Sequence, residues 1–293
     1  MHPKITVRRL RTIFQSVQSL NDSDKPLPLS ALWELICYSP KTPLRSQQQQ
    51  LVDEAEKLQG EVMDRHFAKR PRVVNAFRWG EGTTKVLLTH GWGSKALDFA
   101  DLIVRLKEVK DLEIIAFDAP GNGSSEGDLS NLLLYIEAIK NISSNYGVPD
   151  ILIGHSLGAM ANLLAVKDLN LNPSLIVSLA PLVRLKENFV ATFKLANVPD
   201  SAQHEFFISF EKLFGLPASY FNLTELLSDT PDHTHWIGYD PMDEIHPSDH
   251  LLHFAGSKKG IVSKEYPEVG HSRIIKDPQV IKDIVNVIKE RLS

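Results

Sequence analysis

Asp150-Ile151-Leu152-Ile153-Gly154-His155-Ser156-Leu157-Gly158 is the stretch on which the fold turns. Ile151, Leu152 and Ile153 are apolar and mostly β-branched, the pattern of a short buried strand. Gly154 to Gly158 then reads Gly-x-Ser-x-Gly, and Ala159 to Val166 continues as helix-forming sequence. Strand, tight turn and helix are the context that raises this pentapeptide above chance. A serine at such an elbow takes a strained backbone conformation, and its hydroxyl projects above the sheet. Gly154 and Gly158 are small because strand and helix pass closely there.

Outward from the elbow, apolar strands alternate with helices. Lys85 to Thr89 reads as a buried strand ending in His90-Gly91-Trp92-Gly93, and Ala96 to Lys107 as an amphipathic helix. Leu112 to Phe117 is the next strand, running into Asp118-Ala119-Pro120-Gly121-Asn122-Gly123-Ser124, and Leu129 to Tyr146 is helical. Strands are expected at Ser174 to Leu179, His233 to Tyr239 and Gly260 to Tyr266, with helices at Ser248 to Ala255 and Pro278 to Leu292. Upstream, Val62 to Ala68 and Val73 to Trp79 read as a hairpin of edge strands. Continuous apolar strands joined through helices predict an α/β fold with a mainly parallel sheet covered on both faces.

Two segments break the alternation. Residues 1–60 form a helical N-terminal extension. It holds an amphipathic helix over 5–20 (Ile5, Leu10, Ile13, Phe14 and Val17 on one side), a linker from Asn21 to Pro28, a short helix over Ala31 to Tyr38, and a helical stretch from Gln47 through Leu58. Arg8-Arg9-Leu10-Arg11 reads as a solvated helix face. Residues 182–228 are helical in pattern and rich in phenylalanine (Phe189, Phe193, Phe206, Phe207, Phe210, Phe214, Phe221). Most of these rings fill a small helical core, and the segment is expected to sit over the elbow as a cap. Residues 61–181 and 229–293 are left as the α/β core.

The bulk composition narrows the function classes. A formal net charge of −4 over 293 residues gives no electrostatic footprint for nucleic acid. Cys37 is the only cysteine, so no intrachain disulfide forms and a reducing, cytoplasmic location is expected. Its apolar neighbours make it a small core residue. Lys4, Arg8, Arg9 and Arg11 precede no continuous apolar run, so a secretory signal is not expected. The longest charge-free apolar run is the elbow itself, too short and too interrupted to span a membrane.

A serine hydroxyl needs a base within hydrogen-bond reach, itself held by a third group. In open α/β sheets such groups gather in loops at the carboxyl ends of the strands. The loop after the last strand, Pro267-Glu268-Val269-Gly270-His271-Ser272, offers His271. The loop after the preceding strand, Gly238 to Pro247, offers Asp240, Asp243 and Glu244. Serine, acid, histidine is one of the known orders of such triads. An oxyanion hole needs two backbone N–H groups aimed at developing charge. Leu157, directly after the serine, and Trp92, after the strand ending at Thr89, are the candidates. His233, His235, His246, His250 and His253 cluster in sequence, but strand alternation and the lack of a fitting carboxylate pair oppose a metal site. His155 is expected to pack beneath the elbow.

From Val62 to its end the chain resembles serine hydrolases of the α/β-hydrolase superfamily. The resemblance rests on His90-Gly91-Trp92-Gly93, Asp118 to Ser124, Gly154-His155-Ser156-Leu157-Gly158 and Gly270-His271, in that order. The helical extension with Leu35-Ile36-Cys37 and Pro40, and the ending Gly-His-Ser-Arg-Ile-Ile, are similar to a group of bacterial hydrolases without a defined substrate. The resemblance implies an eight-stranded, mainly parallel sheet flanked by helices. In such families the acid lies four residues before a proline after the seventh strand, so Pro247 selects Asp243 over Asp240. The family's loop at Asp118 is structural, its carboxylate bracing backbone amides. Tyr239 and His246 depart from the family's usual residues in the acid loop.

The resulting expectation is a cofactor-independent, metal-free serine hydrolase cleaving a carboxylic ester or thioester. Ser156 is the nucleophile, His271 the base, Asp243 its partner, and the Leu157 and Trp92 amides the oxyanion hole. The substrate is a small molecule with an apolar acyl group. A serine at the elbow argues against haloalkane dehalogenase and epoxide hydrolase chemistry, which needs a carboxylate there. Acyl transfer or carbon–carbon cleavage by the same triad, and a binding protein without turnover, are the competing readings.

Overall fold

The computed structural model describes residues 3–21, 27–228 and 233–292, with the side chains of 3–8, 20 and 21 outside that description. The readings of Ile5, of most of the Asn21 to Pro28 linker and of the boundary at 229 fall outside the described residues. Eight strands form one sheet: β1 (Glu56–Asp64), β2 (Arg70–Trp79), β3 (Thr84–Thr89), β4 (Leu112–Phe117), β5 (Ile151–His155), β6 (Leu175–Leu179), β7 (His235–Tyr239) and β8 (Ile261–Glu265). Their spatial order is β1-β2-β4-β3-β5-β6-β7-β8. β1–β2 and β2–β4 pair antiparallel, and every other pair is parallel.

The alternation of side chains along each strand divides the interior into two cores. Leu87, Ile115, Leu152 and Ile176 stand side by side in register across β3, β4, β5 and β6 and enter one core. The flanking row of Val86, Ile114, Ile151 and Leu175 enters the other. Helices α5 (Leu132–Tyr146), α6 (Leu157–Asp168) and α10 (Ser248–Gly256) cover the first face, and α4 (Ala100–Leu106) and α11 (Pro278–Leu292) the second. Both faces are thus dry, which is why these strands read as unbroken apolar runs. Between β6 and β7 the chain forms α7 (Leu185–Leu195), α8 (Asp200–Phe214) and the single turn α9 (Leu223–Leu226). Ahead of the sheet lie α1 (Pro3–Asn21), α2 (Leu29–Cys37) and α3 (Ser46–Glu54).

Several boundaries differ from the sequence reading. The helix expected from Gln47 through Leu58 stops at Glu54, and Leu58 belongs to β1, opposite Ala76. Leu58 and Val62 are buried while Lys57, Gln59 and Glu61 are exposed, a period of two that pairing with β2 completes. α5 begins three residues later than expected because Asn131 caps it, its side chain accepting the Leu134 N–H. The helix expected from Ala96 opens as a 3₁₀ turn over Ala96–Phe99 before becoming α4. No helix among the described residues is long and apolar enough to cross a membrane.

Candidate active site

The parallel strands β3 to β8 point the same way, so the loops after them share one edge of the sheet. At that edge Ser156 holds φ +52° and ψ −118°, a region a side-chain-bearing residue rarely visits. The surroundings enforce it. Ser156 N–H donates to the Leu179 carbonyl (3.0 Å), and the Ser156 carbonyl accepts from Ala159 (3.1 Å) and Leu182 (3.2 Å). A Cβ on Gly158 would lie 2.3 Å from the carbonyl oxygens of both Thr89 and His90, and one on Gly154 would lie 2.5 Å from Ala159 Cα. Only glycine lets the helix start this close to the neighbouring strand. Leu157 is the first residue of α6, so its N–H has no intrahelical acceptor by position.

Across the edge, His271 Nδ1 lies 2.7 Å from Asp243 Oδ2. Asp243 Oδ1 accepts the backbone N–H groups of Ile245 (2.8 Å) and His246 (3.1 Å). Burial pushes the Asp243 carboxyl up, but the His271 hydrogen bond and charge and these two amides outweigh it and hold it below the usual carboxylate range. An ionised Asp243 can only accept, so Nδ1 of His271 carries the proton in this bond. Asp240, the alternative acid, is buried and bonded to backbone instead. Its Oδ2 accepts Gly270 N–H (2.7 Å) and its Oδ1 accepts Met242 N–H (2.9 Å), so it ties the two loops together. Among the described residues the Ser156 hydroxyl makes no hydrogen bond to the His271 ring.

Two further imidazoles surround this pair. His155, expected only to pack beneath the elbow, donates from Nε2 to the His271 carbonyl (2.9 Å), and its ring centroid is 4.9 Å from that of His271. Its Nδ1 is buried with no hydrogen-bond partner. Burial, with the His271 charge, pushes its pKa down to about 3, so it is neutral. His246 donates from Nδ1 to the Ala180 carbonyl (3.2 Å), and its Nε2 faces the Asn188 side-chain amide of α7 at 3.5 Å. The one signal in the sequence was its departure from the aliphatic residue usual at this position. Asp243, His246 and His271 are the one group among the described residues whose ligand-type atoms converge, within 4.8 Å. Both Asp243 oxygens are already taken by N–H donors. Of the other clustered histidines, His235 pairs with Ser178 Oγ (2.8 Å) inside the sheet, away from this group.

Ser156, Leu157, His155, His246 and His271 line one cavity of about 490 Å³, within the range of pockets that enclose small molecules. Trp92 lines it too and stays partly exposed, 37%. Its neighbour Gly91 presses on the elbow, where a Cβ would lie 3.2 Å from Ser156 Cβ. Tyr135 Oη holds that loop by donating to the Gly91 carbonyl (2.9 Å). Asp118 lies outside this arrangement, its oxygens accepting from Ala96 N–H, Ser124 N–H and Ser124 Oγ–H (2.8, 2.7 and 2.7 Å). That is the bracing role the resemblance implied.

The cavity also has N-terminal walls that the sequence did not foretell, beside phenylalanines of the 182–228 segment. Leu10 and Phe14 of α1, and Trp33, Ile36 and Cys37 of α2, line it together with Phe189, Phe210 and Phe214 of α7 and α8. Cys37 is buried, and burial pushes its thiol up, so it behaves as the small apolar residue expected. The basic face of α1 is not wholly solvated. Arg9 bonds Glu34 (2.9 Å) and Asp128 (3.3 Å), fastening α1 to α2 and to the loop before α5. Such pairings depend on contacts across the fold, which helical periodicity alone does not encode.

The model of the alpha/beta hydrolase family matches residues 86–281. Monoglyceride lipase of Rattus norvegicus is 27% identical over 124 residues, which cover 39% of this chain and 41% of that protein. The chain therefore spans about two-fifths of the length of that curated relative. An esterase from the thermophile Thermogutta terrifontis, solved with malate bound, superposes with a TM-score of 0.59 at 14% identity, over 80% of this chain and all of that one. The Pyrococcus furiosus esterase Pf2001 gives 0.61 at 15%, over 88% and 96%. Mouse alpha/beta hydrolase domain-containing protein 10 gives 0.59 at 19%, over 75% and 94%. At these identities the structural likeness speaks for the fold alone.

Proposed function

The chain belongs to the alpha/beta hydrolase family, and from that premise we propose that it is a serine hydrolase opening a carboxylic ester or thioester through an acyl-enzyme on Ser156. The observation that carries the reading is the 2.7 Å bond between His271 and Asp243 on a cavity that Ser156 also lines. Substrate entry brings the Ser156 hydroxyl to His271 Nε2, a contact that often forms only in the substrate complex. Ser156 Oγ attacks the acyl carbonyl as Nε2 takes its proton, and ionised Asp243 stabilises the imidazolium. The oxyanion accepts hydrogen bonds from the Leu157 and Trp92 amides. Collapse expels the alcohol or thiol, which receives the proton from His271. A water then gives its proton to Nε2 and attacks the acyl carbon, and the second collapse returns the proton to Ser156 and frees the acid.

The apolar cavity walls support an apolar acyl group, and no cofactor is needed for any step. The single cysteine fits a reducing compartment, where the reading puts the protein. A fluorophosphonate probe tests the chemistry. The expected result is covalent labelling of Ser156 that Ser156→Ala abolishes and His271→Ala reduces at least a hundredfold. Native protein that stays unlabelled would sink the proposal and favour a binding role.

A further inference from the structure

We propose that α1 and α2 form the selectivity wall of the acyl cavity, making the substrate a long-chain hydrocarbon acyl ester or thioester. This rests on the acyl-enzyme reading and adds to it a substrate class and a purpose for the N-terminal helices. All of α1 and α2 lies outside residues 86–281, the part that the family model matches.

The chemistry of the lining carries the inference. The polar groups on the cavity surface come from the loops at the sheet edge, including the charged Lys276, from Asp98 of the 3₁₀ turn, from Ser130 and Asn131, and from Asn188 and Thr192 of α7. From α1, α2 and α8 come only Leu10, Phe14, Trp33, Leu35, Ile36, Cys37, Phe210 and Phe214. The one strong polar atom among these side chains, Trp33 Nε1, already donates to Ser209 Oγ at 3.2 Å. A ligand portion lying against these helices finds no hydrogen-bond partner among their side chains, so a polar portion would be desolvated without compensation. Hydrocarbon is what such a wall accepts. About 490 Å³ is also far more space than an acetyl group fills.

The wall is held firmly enough to select. The Trp33 ring stacks on Phe210 (centroids 6.0 Å, planes 16° apart) and contacts Phe206 at 4.6 Å and Phe214 at 5.8 Å, so α2 is locked to α8. Arg9 crosses from α1 to Glu34 of α2 and to Asp128. Rigid aromatic packing of this kind fixes the length and width of the space and so can discriminate between chains.

The test is a panel of aryl esters from acetyl to palmitoyl, read as kcat/KM. For wild type, kcat/KM is expected to rise by up to about fourfold for each methylene that the cavity buries. Ile36→Trp and the milder Leu10→Phe put bulk into the wall, and each should lower the decanoyl-to-acetyl ratio of kcat/KM at least tenfold. A merely structural role for these helices would lower both substrates alike and leave the ratio unchanged, which would overturn the proposal, as would a wild-type profile flat with chain length. Binding of a dansylated undecanoic acid is measured in parallel. If Ser156 resists the fluorophosphonate yet this fatty acid binds and Ile36→Trp weakens it tenfold, the acyl-enzyme reading fails while the wall stands. If Ser156 is labelled and the fatty acid does not bind, the wall fails alone.

Discussion

His246 meets His271 edge to face, with ring centroids 4.5 Å apart and ring planes at 84°. Burial and the charge of His271 push the His246 pKa down to about 4, so near neutral pH it is an uncharged neighbour of the proposed base. That matters because His271 must become an imidazolium in each half of the proposed reaction. A fixed cation at this separation would oppose that charge by about 3–4 kcal/mol at the effective dielectric of such sites. His246→Lys is therefore expected to lower kcat/KM several hundredfold. His246→Gln, neutral and still able to donate to Ala180, should remain within about tenfold of wild type. Equal losses in the two variants would refute the electrostatic account.

Asp243 and Asp240 separate by what they bond. Asp243→Asn keeps the shape but loses the charge facing Nδ1, and is expected to cut kcat by about 10³–10⁴ with thermal stability near that of wild type. Asp240→Asn weakens the charged tie to Gly270 N–H and Met242 N–H. It should lower stability by about 1–3 kcal/mol and reduce turnover far less. Urea denaturation beside kinetics on both variants checks this, and an inverted result would exchange the roles of the two acids.

The elbow and the succession of strands were legible because each depends on local pattern, whereas the loop after β7 offered Asp240, Asp243 and Glu244 alike and only the family resemblance singled out Asp243, which bonds His271. Gly158 is required by a clash with two carbonyls, and β-branched runs mark strands buried on both faces. What stayed hidden depends on contacts between distant segments. His155 reaches the carbonyl of residue 271 from 116 residues away, and Arg9 reaches Asp128 across 119. The cavity wall of α1 and α2 looked like an ordinary amphipathic stripe, since periodicity reports which side of a helix is buried but not against what. The helix overrun into Leu58 has the same origin. A run of glutamines favours helix, and only pairing with β2 shows that the chain has already turned to strand.

Acid should destabilise this protein through its buried histidines. His155 and His235 are pushed down to about 3 and His246 to about 4, in each case chiefly by burial. Unfolded, each titrates near its ordinary value of about 6.5. Between those limits the unfolded chain binds more protons than the folded one, so stability falls as pH drops below about 6.5 and goes on falling towards the folded values. Each such group contributes up to about 1.4 kcal/mol per pH unit inside its window. His235 lies in the sheet, bonded to Ser178, so His235→Gln should flatten the dependence of the urea midpoint on pH between 6.5 and 4. An unchanged slope would mean that His235 does not titrate with the fold.

The backbone at Ser156 offers a last measurement, because its strain belongs to the position and not to the hydroxyl. With φ +52° and ψ −118°, any residue with a Cβ is held in a sparsely allowed region, at a cost of about 1–3 kcal/mol. Ser156→Ala keeps that Cβ and keeps the strain, whereas Ser156→Gly releases it. Glycine gives back roughly 0.5–1 kcal/mol through the greater freedom of its unfolded chain. The difference leaves Ser156→Gly more stable than Ser156→Ala by about 1 kcal/mol, although both lack the nucleophile. In a chain of this size that is a rise in Tm of about 2 °C. Calorimetry on the two inactive variants decides the matter. A glycine variant less stable than the alanine one would show that the elbow is not strained, and that the bonds from Ser156 to Leu179 and Leu182 hold a relaxed turn.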